Sequence, residues 1–220
     1  DGDYEYLIAE GGLNDFWGHS ELGEITDGFS GDFDENGLYQ PIQSVGQLSY
    51  NSQSYAAQTY YYEPGKPVIR FAWNRSDIPG APFNGSMCTP TEMTLKKHGD
   101  RYYLSALPIK STENLVVKSD KLDDFTLTHC THELGSKTCR ISFTVKEGDL
   151  TCSLYGLEMK LDKNGLTCGE SILPRLKNEP MKVDIITDTN SVEIYLNGVA
   201  NTVIAHVLDE TKPTFPIHAE

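Results

Sequence analysis

The chain has five cysteines, and their spacing indicates which of them could form disulfides. Cys130 with Cys139, and Cys152 with Cys168, are spaced so that each pair could close a short β-hairpin as a disulfide, which leaves Cys88 as an odd thiol. Other pairings of the same four residues stay open. Disulfides form in oxidising compartments, so we expect a secreted, extracellular or vacuolar protein of the eukaryotic secretory pathway.

Two tripeptides fit the acceptor pattern for N-glycosylation, Asn74-Arg75-Ser76 and Asn84-Gly85-Ser86. A chain that passes through the secretory pathway is expected to carry such glycans on exposed loops. We therefore predict Asn74 and Asn84 as glycosylation sites.

Two groups of polar residues imitate metal sites without a complete ligand set. Residues 32–37 follow the start of a calcium loop, but the twelfth position is Gln43, where a calcium loop has a bidentate Glu. The His-Cys-x-His run at residues 129–132, taken with Cys139, fits no common zinc spacing, and a disulfide accounts for its cysteine. We predict no metal ion and no cofactor.

Composition limits the partners of the chain. Its 18 Lys+Arg against 32 Asp+Glu give a net charge of −14, which repels phosphate backbones and anionic membranes. Nucleic acid is thus excluded as a partner, whereas a neutral carbohydrate fits. No apolar run is long enough to span a membrane, and the first residues lack the basic flank and apolar core of a signal peptide, so we expect any secretion signal to have been removed or to lie on a longer precursor.

Strands are the elements that must position these side chains. Short alternating or β-branched runs between turn residues predict strands over residues 4–9, 47–50, 56–62, 68–73, 92–96, 102–107, 125–128, 140–145, 151–157, 159–161, 182–187, 191–196 and 202–207. No stretch of about twelve residues has a convincing helical period. The predicted fold is all-β.

Residues 49–60 carry a recognisable pattern, Ser-Tyr-Asn-Ser-Gln-Ser-Tyr-Ala-Ala-Gln-Thr-Tyr, and a strand that ends in Trp73 follows it. The pattern resembles the Asp-Tyr-Gly-x-Asp-Phe-Tyr-Ala-x-Gln-Thr-Phe strand of glycoside hydrolase family 32, the invertases, inulinases and levanases. Residues 29–34, 82–95 and 104–109 resemble further elements of that family in the same order. Residues 188–198 resemble the Asp-Arg-Ser-Ser-Val-Glu-Val-Phe-Val-Asn element of its C-terminal sandwich.

The resemblance implies a partial β-propeller, consisting of the last one to two blades, followed by a C-terminal β-sandwich. We place the propeller part at residues 1–110 and the sandwich at residues 111–220. By the order of the motifs, we expect the chain to begin just after the family's Glu-Cys blade.

The segments that resemble the family do not include its catalytic motifs. Family members hydrolyse β-fructofuranosidic bonds with two carboxyl groups about 5 Å apart. The family carries them in Asn-Asp-Pro-Asn-Gly, Arg-Asp-Pro and Glu-Cys motifs, none of which is present here. The nearest imitation, at residues 14–18, is interpreted as a surface loop, and we predict no catalytic residue.

By resemblance, Trp73 faces a sugar pocket, where its ring could stack on a sugar, although a Trp that ends a strand is also a common core residue. We predict Tyr55, Gln58 and Gln53 as the other ligand-binding residues. Gln53 and Ser49 replace the two acids of the family pattern, which removes two charges from the pocket.

Three functions are compatible with this pattern. The chain is a descendant or fragment of a β-fructofuranosidase-like scaffold for sucrose or fructan, not catalytic by itself, that binds carbohydrate or a partner protein. Alternatively, it is the C-terminal chain of a processed, active invertase-like enzyme whose carboxylates lie on a partner chain that completes the propeller. In the third, it is a structural, secreted module that forms an oligomer.

Overall fold

The computed structural model describes residues 5–12, 24–33, 35–36, 39–41, 48–50, 53–59, 66–76, 80, 82–122, 126, 128–206, 208 and 214–219. For residues 5–12, 24–33 and 39–41 the description covers the backbone strands.

The predicted all-β fold is confirmed. The strands, numbered β1 to β18 in chain order, are Glu5–Gly12, Glu24–Phe33, Tyr39–Pro41, Ser54–Thr59, Val68–Asn74, Ser86–Met87, Thr91–His98, Arg101–Pro108, His129–Glu133, Cys139–Val145, Leu150–Leu154, Leu157–Asp162, Gly165–Cys168, Ser171–Pro174, Met181–Asp188, Ser191–Leu196, Ala200–Ala205 and Thr214–Ala219. A short 3-10 helix, Lys110–Leu115, follows β8. Within the described ranges no helix combines the length and apolarity needed to cross a bilayer.

Two antiparallel sheets make up the partial propeller. The first has the order β1-β2-β3, and the second has the order β4-β5-β7-β8 with β6 paired to β5. Consecutive strands are neighbours in both, as expected of the up-and-down blades of a propeller. In β5, residues 70–74 alternate between buried and more accessible positions, as expected of a strand that packs one face on a core.

Two further sheets form the β-sandwich. A four-stranded sheet has the order β10-β15-β16-β17, and a six-stranded sheet has the order β14-β13-β12-β11-β18-β9. Strands β11 and β15 alternate between buried and accessible residues, as strands with one face on a core do. Leu154 and Leu161 from one sheet and Ile185 and Ile194 from the other are fully buried in the shared core. Burial of each such side chain contributes about 1.5–3 kcal/mol.

Backbone hydrogen bonds join the propeller part to the sandwich. Ser49 forms an isolated parallel bridge with Asn201 of β17. The Tyr50 amide donates to the Asn201 carbonyl oxygen at 2.8 Å, and the Asn201 amide donates to the Leu48 carbonyl oxygen at 2.8 Å. The Ala106 amide of β8 donates to the Gly198 carbonyl oxygen at 2.8 Å. These bonds fix the second propeller sheet against the four-stranded sheet of the sandwich.

Two strand boundaries differ from the prediction. Residues 151–157 and 159–161 were expected as separate strands, but the break lies at Tyr155 and Gly156, whose φ angles are 47° and 87°. Two successive residues with positive φ make the tight turn that joins β11 to β12. Of the residues 125–128 expected as a strand, 126 and 128 are described and lie outside any strand, and β9 begins at His129. The division expected between residues 110 and 111 falls in the 3-10 helix and stays a prediction.

Candidate functional site

Trp73 lies on the accessible face of β5. Its two chain neighbours, Ala72 and Asn74, are buried, whereas Trp73 is 38% exposed. It stands opposite Tyr55 of β4 in the antiparallel register, and the two rings pack edge to face with centroids 6.4 Å apart and planes at 61°. Such an arrangement of aromatic rings is favourable beyond the area that it buries. The exposed indole is therefore held by a neighbouring ring.

Gly85 packs against the edge of the indole that carries Nε1. Its φ is +73°, and a Cβ on this residue would lie 2.3 Å from Trp73 Nε1 and 2.6 Å from the Asn74 carbonyl oxygen. Only glycine combines this backbone conformation with so close an approach. The Gly85 backbone thus packs directly against the indole and restricts its rotation.

A β-bulge brings the predicted glutamine into line with the aromatic rings. The register places Tyr55 opposite Trp73 and Gln58 opposite Phe71, so β4 carries one more residue than β5 between these pairs. Ala56, with a φ of 47°, lies inside the bulge. Residues directly opposite each other on an antiparallel pair share a face. The exposed side of the sheet therefore presents Tyr55, Gln58 and Trp73 together.

Arg75 completes this surface. Its guanidinium carbon lies 4.9 Å from the centroid of the Tyr55 ring, within the range of a cation–π interaction. The Arg75 amide donates to the backbone carbonyl oxygen of Gln53 at 3.0 Å, which holds Gln53 at the start of β4. We call Tyr55, Gln58, Trp73 and Arg75 the aromatic face.

The two predicted glycosylation sites differ in accessibility. Asn84 is exposed. Asn74 is only 2% exposed, its Nδ2 donates to Ser86 Oγ at 3.3 Å, and its Oδ1 accepts from the Ser76 amide at 3.3 Å. Because a glycan is attached through Nδ2, this burial argues against Asn74 and leaves Asn84 as the accessible acceptor.

All five cysteines lie in the described residues, and none of them forms a disulfide in this structure. Cys152 and Cys168 both stand opposite Met159, from the two sides of β12. They are therefore two strand spacings apart, about 10 Å, whereas a disulfide joins Cα atoms about 4.4–6.8 Å apart. Cys130 lies in β9 and Cys139 in β10, which belong to different sheets. The structure brings neither predicted pair together within one hairpin.

A buried acid, Glu193 of β16, connects the sandwich to the propeller part. It is 8% exposed. Its Oε1 accepts from the Thr89 amide and from Thr89 Oγ1, both at 2.8 Å, and its Oε2 accepts from the Tyr195 hydroxyl at 2.7 Å. Thr89 lies between β6 and β7, so these bonds cross from one part of the chain to the other.

Burial raises the pKa of Glu193, because desolvation outweighs the three hydrogen bonds that favour its charged form. Burial, with the neighbouring Glu193 carboxylate, also raises the pKa of Tyr195 well above its ordinary value. A raised pKa is typical of a general acid, but both oxygens of Glu193 are engaged with protein donors. We interpret Glu193 as a residue that joins the two parts of the chain.

The sequence signal for Glu193 is its position as the one charged residue in the strand-like run Ser-Val-Glu-Ile-Tyr-Leu at residues 191–196. Residues 191–196 are all buried, and an acid inside a continuous buried strand requires hydrogen-bond partners from elsewhere in the fold. Asp15, in the imitation of a catalytic motif at residues 14–18, and Asp34, in the calcium-loop-like run at residues 32–37, lie outside the described residues.

An open cleft lies between the second propeller sheet and the sandwich. Met87 and Thr89 contribute to one wall and Phe143 and Glu193 to the other. Exposed apolar side chains of the segment after β8 also border it, among them Leu115, Val116, Val117 and Leu122. Trp73 is not part of its lining, but Phe71 and Met87 are. Met87 stands opposite Trp73 and Phe71 stands opposite Gln58, so the cleft borders the aromatic face.

Known structures share this arrangement, although no protein-family model and no curated protein matches the chain. The exo-inulinase of Aspergillus awamori superimposes with a TM-score of 0.68 at 14% identity, over 98% of this chain and 50% of its own. A family 32 glycoside hydrolase of Bifidobacterium adolescentis gives 0.66 at 15% identity, over 90% of this chain and 34% of its own. The family 32 β-fructofuranosidase of Bombyx mori gives 0.60 at 13% identity, over 99% and 49%.

The chain has the fold of part of a family 32 glycoside hydrolase. It spans about half the length of the inulinase and of the β-fructofuranosidase. The resemblance found in the sequence motifs is thus confirmed at the level of the fold, including the partial propeller followed by a sandwich.

Proposed function

We propose that this chain is the carbohydrate-binding part of a β-fructofuranosidase-like scaffold and that it does not catalyse hydrolysis by itself. The ligand class is a neutral, fructose-containing carbohydrate such as sucrose or a fructan. The aromatic face is the binding surface, with Trp73 stacking on the sugar and Tyr55 and Gln58 beside it.

The exposed and braced indole of Trp73 is the observation that carries this proposal. An aromatic ring that is packed against both Tyr55 and the Gly85 backbone is a rigid platform, and little side-chain entropy is lost when a ligand stacks on it. Gln58 and the Arg75 guanidinium on the same surface offer hydrogen bonds to sugar hydroxyl groups. The net charge of −14 favours a neutral ligand over a polyanion.

The absence of catalysis is supported by two observations. The three carboxylate motifs of the family do not occur in the sequence. Among the described side chains, the acid with a raised pKa is Glu193, and its oxygens already accept three hydrogen bonds. In the alternative, the chain belongs to an active enzyme whose catalytic carboxylates lie on another chain.

Binding is tested by titrating the protein with sucrose, inulin and levan while tryptophan fluorescence and heat are recorded. We expect Trp73→Ala to abolish binding and Tyr55→Ala to weaken it. Phe83→Ala is the matched control, because Phe83 is an exposed aromatic residue, 60% accessible, outside the aromatic face. Equal affinity of wild type and Trp73→Ala would refute the site, and release of reducing sugar by the purified wild-type chain would refute the lack of catalysis.

A second candidate function is the binding of a partner protein or of another copy of the chain. Leu115 is 79% exposed, Val116 52% and Leu122 55%, and Val117 is fully exposed. Contiguous apolar surface of this kind marks interaction sites. Light scattering of wild type and of Val117→Ser distinguishes a partner protein from another copy of the chain. A wild-type mass above 24.5 kDa that returns to this value in the variant supports an oligomer.

The proposed compartment is the secretory pathway, with the exposed Asn84 as the glycan acceptor. Expression in a secreting eukaryotic host, followed by enzymatic removal of N-glycans, should lower the mass of wild type but leave Asn84→Gln unchanged. A mass shift that persists in Asn84→Gln would contradict this assignment.

A further inference from the structure

We propose that His129 and His218 form a two-histidine binding site for a divalent transition metal ion, Cu²⁺, Ni²⁺ or Zn²⁺, on the outer face of the six-stranded sheet. The two residues stand directly opposite each other on β9 and β18. Their ring centroids are 4.4 Å apart, and the two Nδ1 atoms are 3.0 Å apart. The two nitrogens face each other at hydrogen-bonding distance.

The distance between these nitrogens suits a shared metal ion. Two nitrogens that bind one ion at about 2.0–2.1 Å, with an angle of about 90–110° between them, lie about 2.8–3.4 Å apart. The observed 3.0 Å falls within this range. The pairing of β9 with β18 extends from Thr214 opposite Glu133 to His218 opposite His129, so the backbone ladder holds the two rings in register. A metal ion would find the ligands preorganised.

The surroundings leave the remaining coordination positions open. Both rings are exposed, on the side of the sheet away from the core. Thr131 Oγ1 lies 3.5 Å from His129 Nε2, so this outer nitrogen faces a hydroxyl while Nδ1 faces the partner ring. His132 lies on the opposite face of β9, because it is three residues from His129 and side chains alternate along a strand.

The ligand set selects the class of metal. Imidazole nitrogen binds Cu²⁺, Ni²⁺ and Zn²⁺, whereas Ca²⁺ and Mg²⁺ prefer oxygen. Among the described residues, no group of three or more His, Cys, Asp and Glu side chains gathers around a common point. Water would therefore complete the coordination, and the order of affinity should follow Cu²⁺ above Ni²⁺ and Zn²⁺. The ion would join the edge strand β9 to β18 across the sheet.

The test is calorimetric titration of the untagged chain with CuCl₂, NiCl₂, ZnCl₂ and CaCl₂, in a buffer that does not bind metal. We expect one transition metal ion per chain at this site. His129→Gln and His218→Gln should each weaken binding by at least about tenfold, because each turns a chelate into a single ligand. His98→Gln is the control, since it removes a histidine from a different sheet. Circular dichroism confirms that each variant is folded.

A second readout separates a bridging ion from general attraction to an acidic protein. Metal that binds the folded chain at this pair should raise the thermal midpoint of wild type and of His98→Gln, but not of the double variant His129→Gln/His218→Gln. Undiminished affinity in the double variant, an equal response to Ca²⁺, or no binding by wild type at millimolar metal would each overturn the proposal.

Discussion

Glu193 offers the sharpest test of how the two parts of the chain are joined. Glu193→Ala removes the acceptor of three hydrogen bonds. Tyr195 is 3% exposed, so its hydroxyl loses its acceptor in a dry environment, at a cost of about 1–3 kcal/mol. Thr89 is half-buried, and water can replace part of what its two donors lose. The variant also no longer has to bury a carboxylate, which offsets part of this loss. We therefore expect the free energy of unfolding to fall by about 2–4 kcal/mol.

A double-mutant cycle isolates the contact with Tyr195. Tyr195→Phe removes the hydroxyl and leaves Glu193 its two bonds from Thr89. In Glu193→Ala/Tyr195→Phe the Tyr195 hydroxyl that would lose its acceptor is absent, so the double variant should be more stable than the sum of the two single losses predicts, by about 1–2 kcal/mol. Urea unfolding followed by far-ultraviolet circular dichroism measures all four proteins.

The matched control for this cycle is Glu158→Ala, because Glu158 is an exposed acid on β12. Its substitution should change stability by less than about 0.5 kcal/mol. If Glu193→Ala behaves like Glu158→Ala, or if the two single losses simply add, the buried acid does not hold the propeller part to the sandwich as we argue.

Three other perturbations test further parts of the structure. Gly85→Ala should destabilise the chain and shift the emission of Trp73, since the new Cβ would lie 2.3 Å from Trp73 Nε1; an unchanged spectrum and midpoint would contradict the close packing. Because burial raises the pKa of Glu193, its contribution is fully present below the unfolded pKa of about 4.5 and declines as the pH rises through the folded value. The stability of wild type relative to Glu193→Gln, measured by urea unfolding, should therefore fall as the pH rises above about 4.5, and a constant difference would refute this direction. Burial raises the pKa of Cys152 and of Cys168 to about 12, so a thiol reagent at pH 8 should label both slowly in the native chain and rapidly in urea; thiols that react only after reduction would instead indicate a disulfide.

The sequence predicted the elements with strong alternation and located them closely. The strand expected at residues 68–73 is β5, Val68–Asn74, and the one expected at 191–196 is β16, Ser191–Leu196. Both have the β-branched and aromatic side chains that favour a pleated surface. Strands β13 and β14, Gly165–Cys168 and Ser171–Pro174, were missed because segments of four residues are too short to show a period.

The candidate site was predictable in its residue types but not in its geometry. A motif placed Tyr55, Gln58 and Trp73 near one another, yet their shared face depends on a bulge at Ala56, a non-glycine residue with positive φ that local propensity disfavours. The burial of Asn74 depends on its bond to Ser86 of another strand. Such facts are set by tertiary pairing, which a linear pattern does not encode.

The Cys152–Cys168 pairing illustrates the same limit. Their spacing suited a single hairpin, but the chain inserts β12 between the two strands, so Met159 separates the thiols. One extra turn at Tyr155 and Gly156 changes which strands are neighbours. The spacing of the two cysteines does not reveal that turn. Gly156 favours a positive φ, but Tyr155 does not, so the pair gives only a weak turn signal.

The bridge between Ser49 and Asn201 has a consequence for the order of folding. Ser49 Oγ donates to Asn201 Oδ1 at 3.1 Å across 152 residues of sequence, and contacts of such separation form slowly because a long loop must close first. During synthesis the segment at residues 48–50 leaves the ribosome long before β17 exists. The junction between residues 48–50 and β17 therefore forms late, and the strand edges that it joins stay unpaired until β17 has been synthesised.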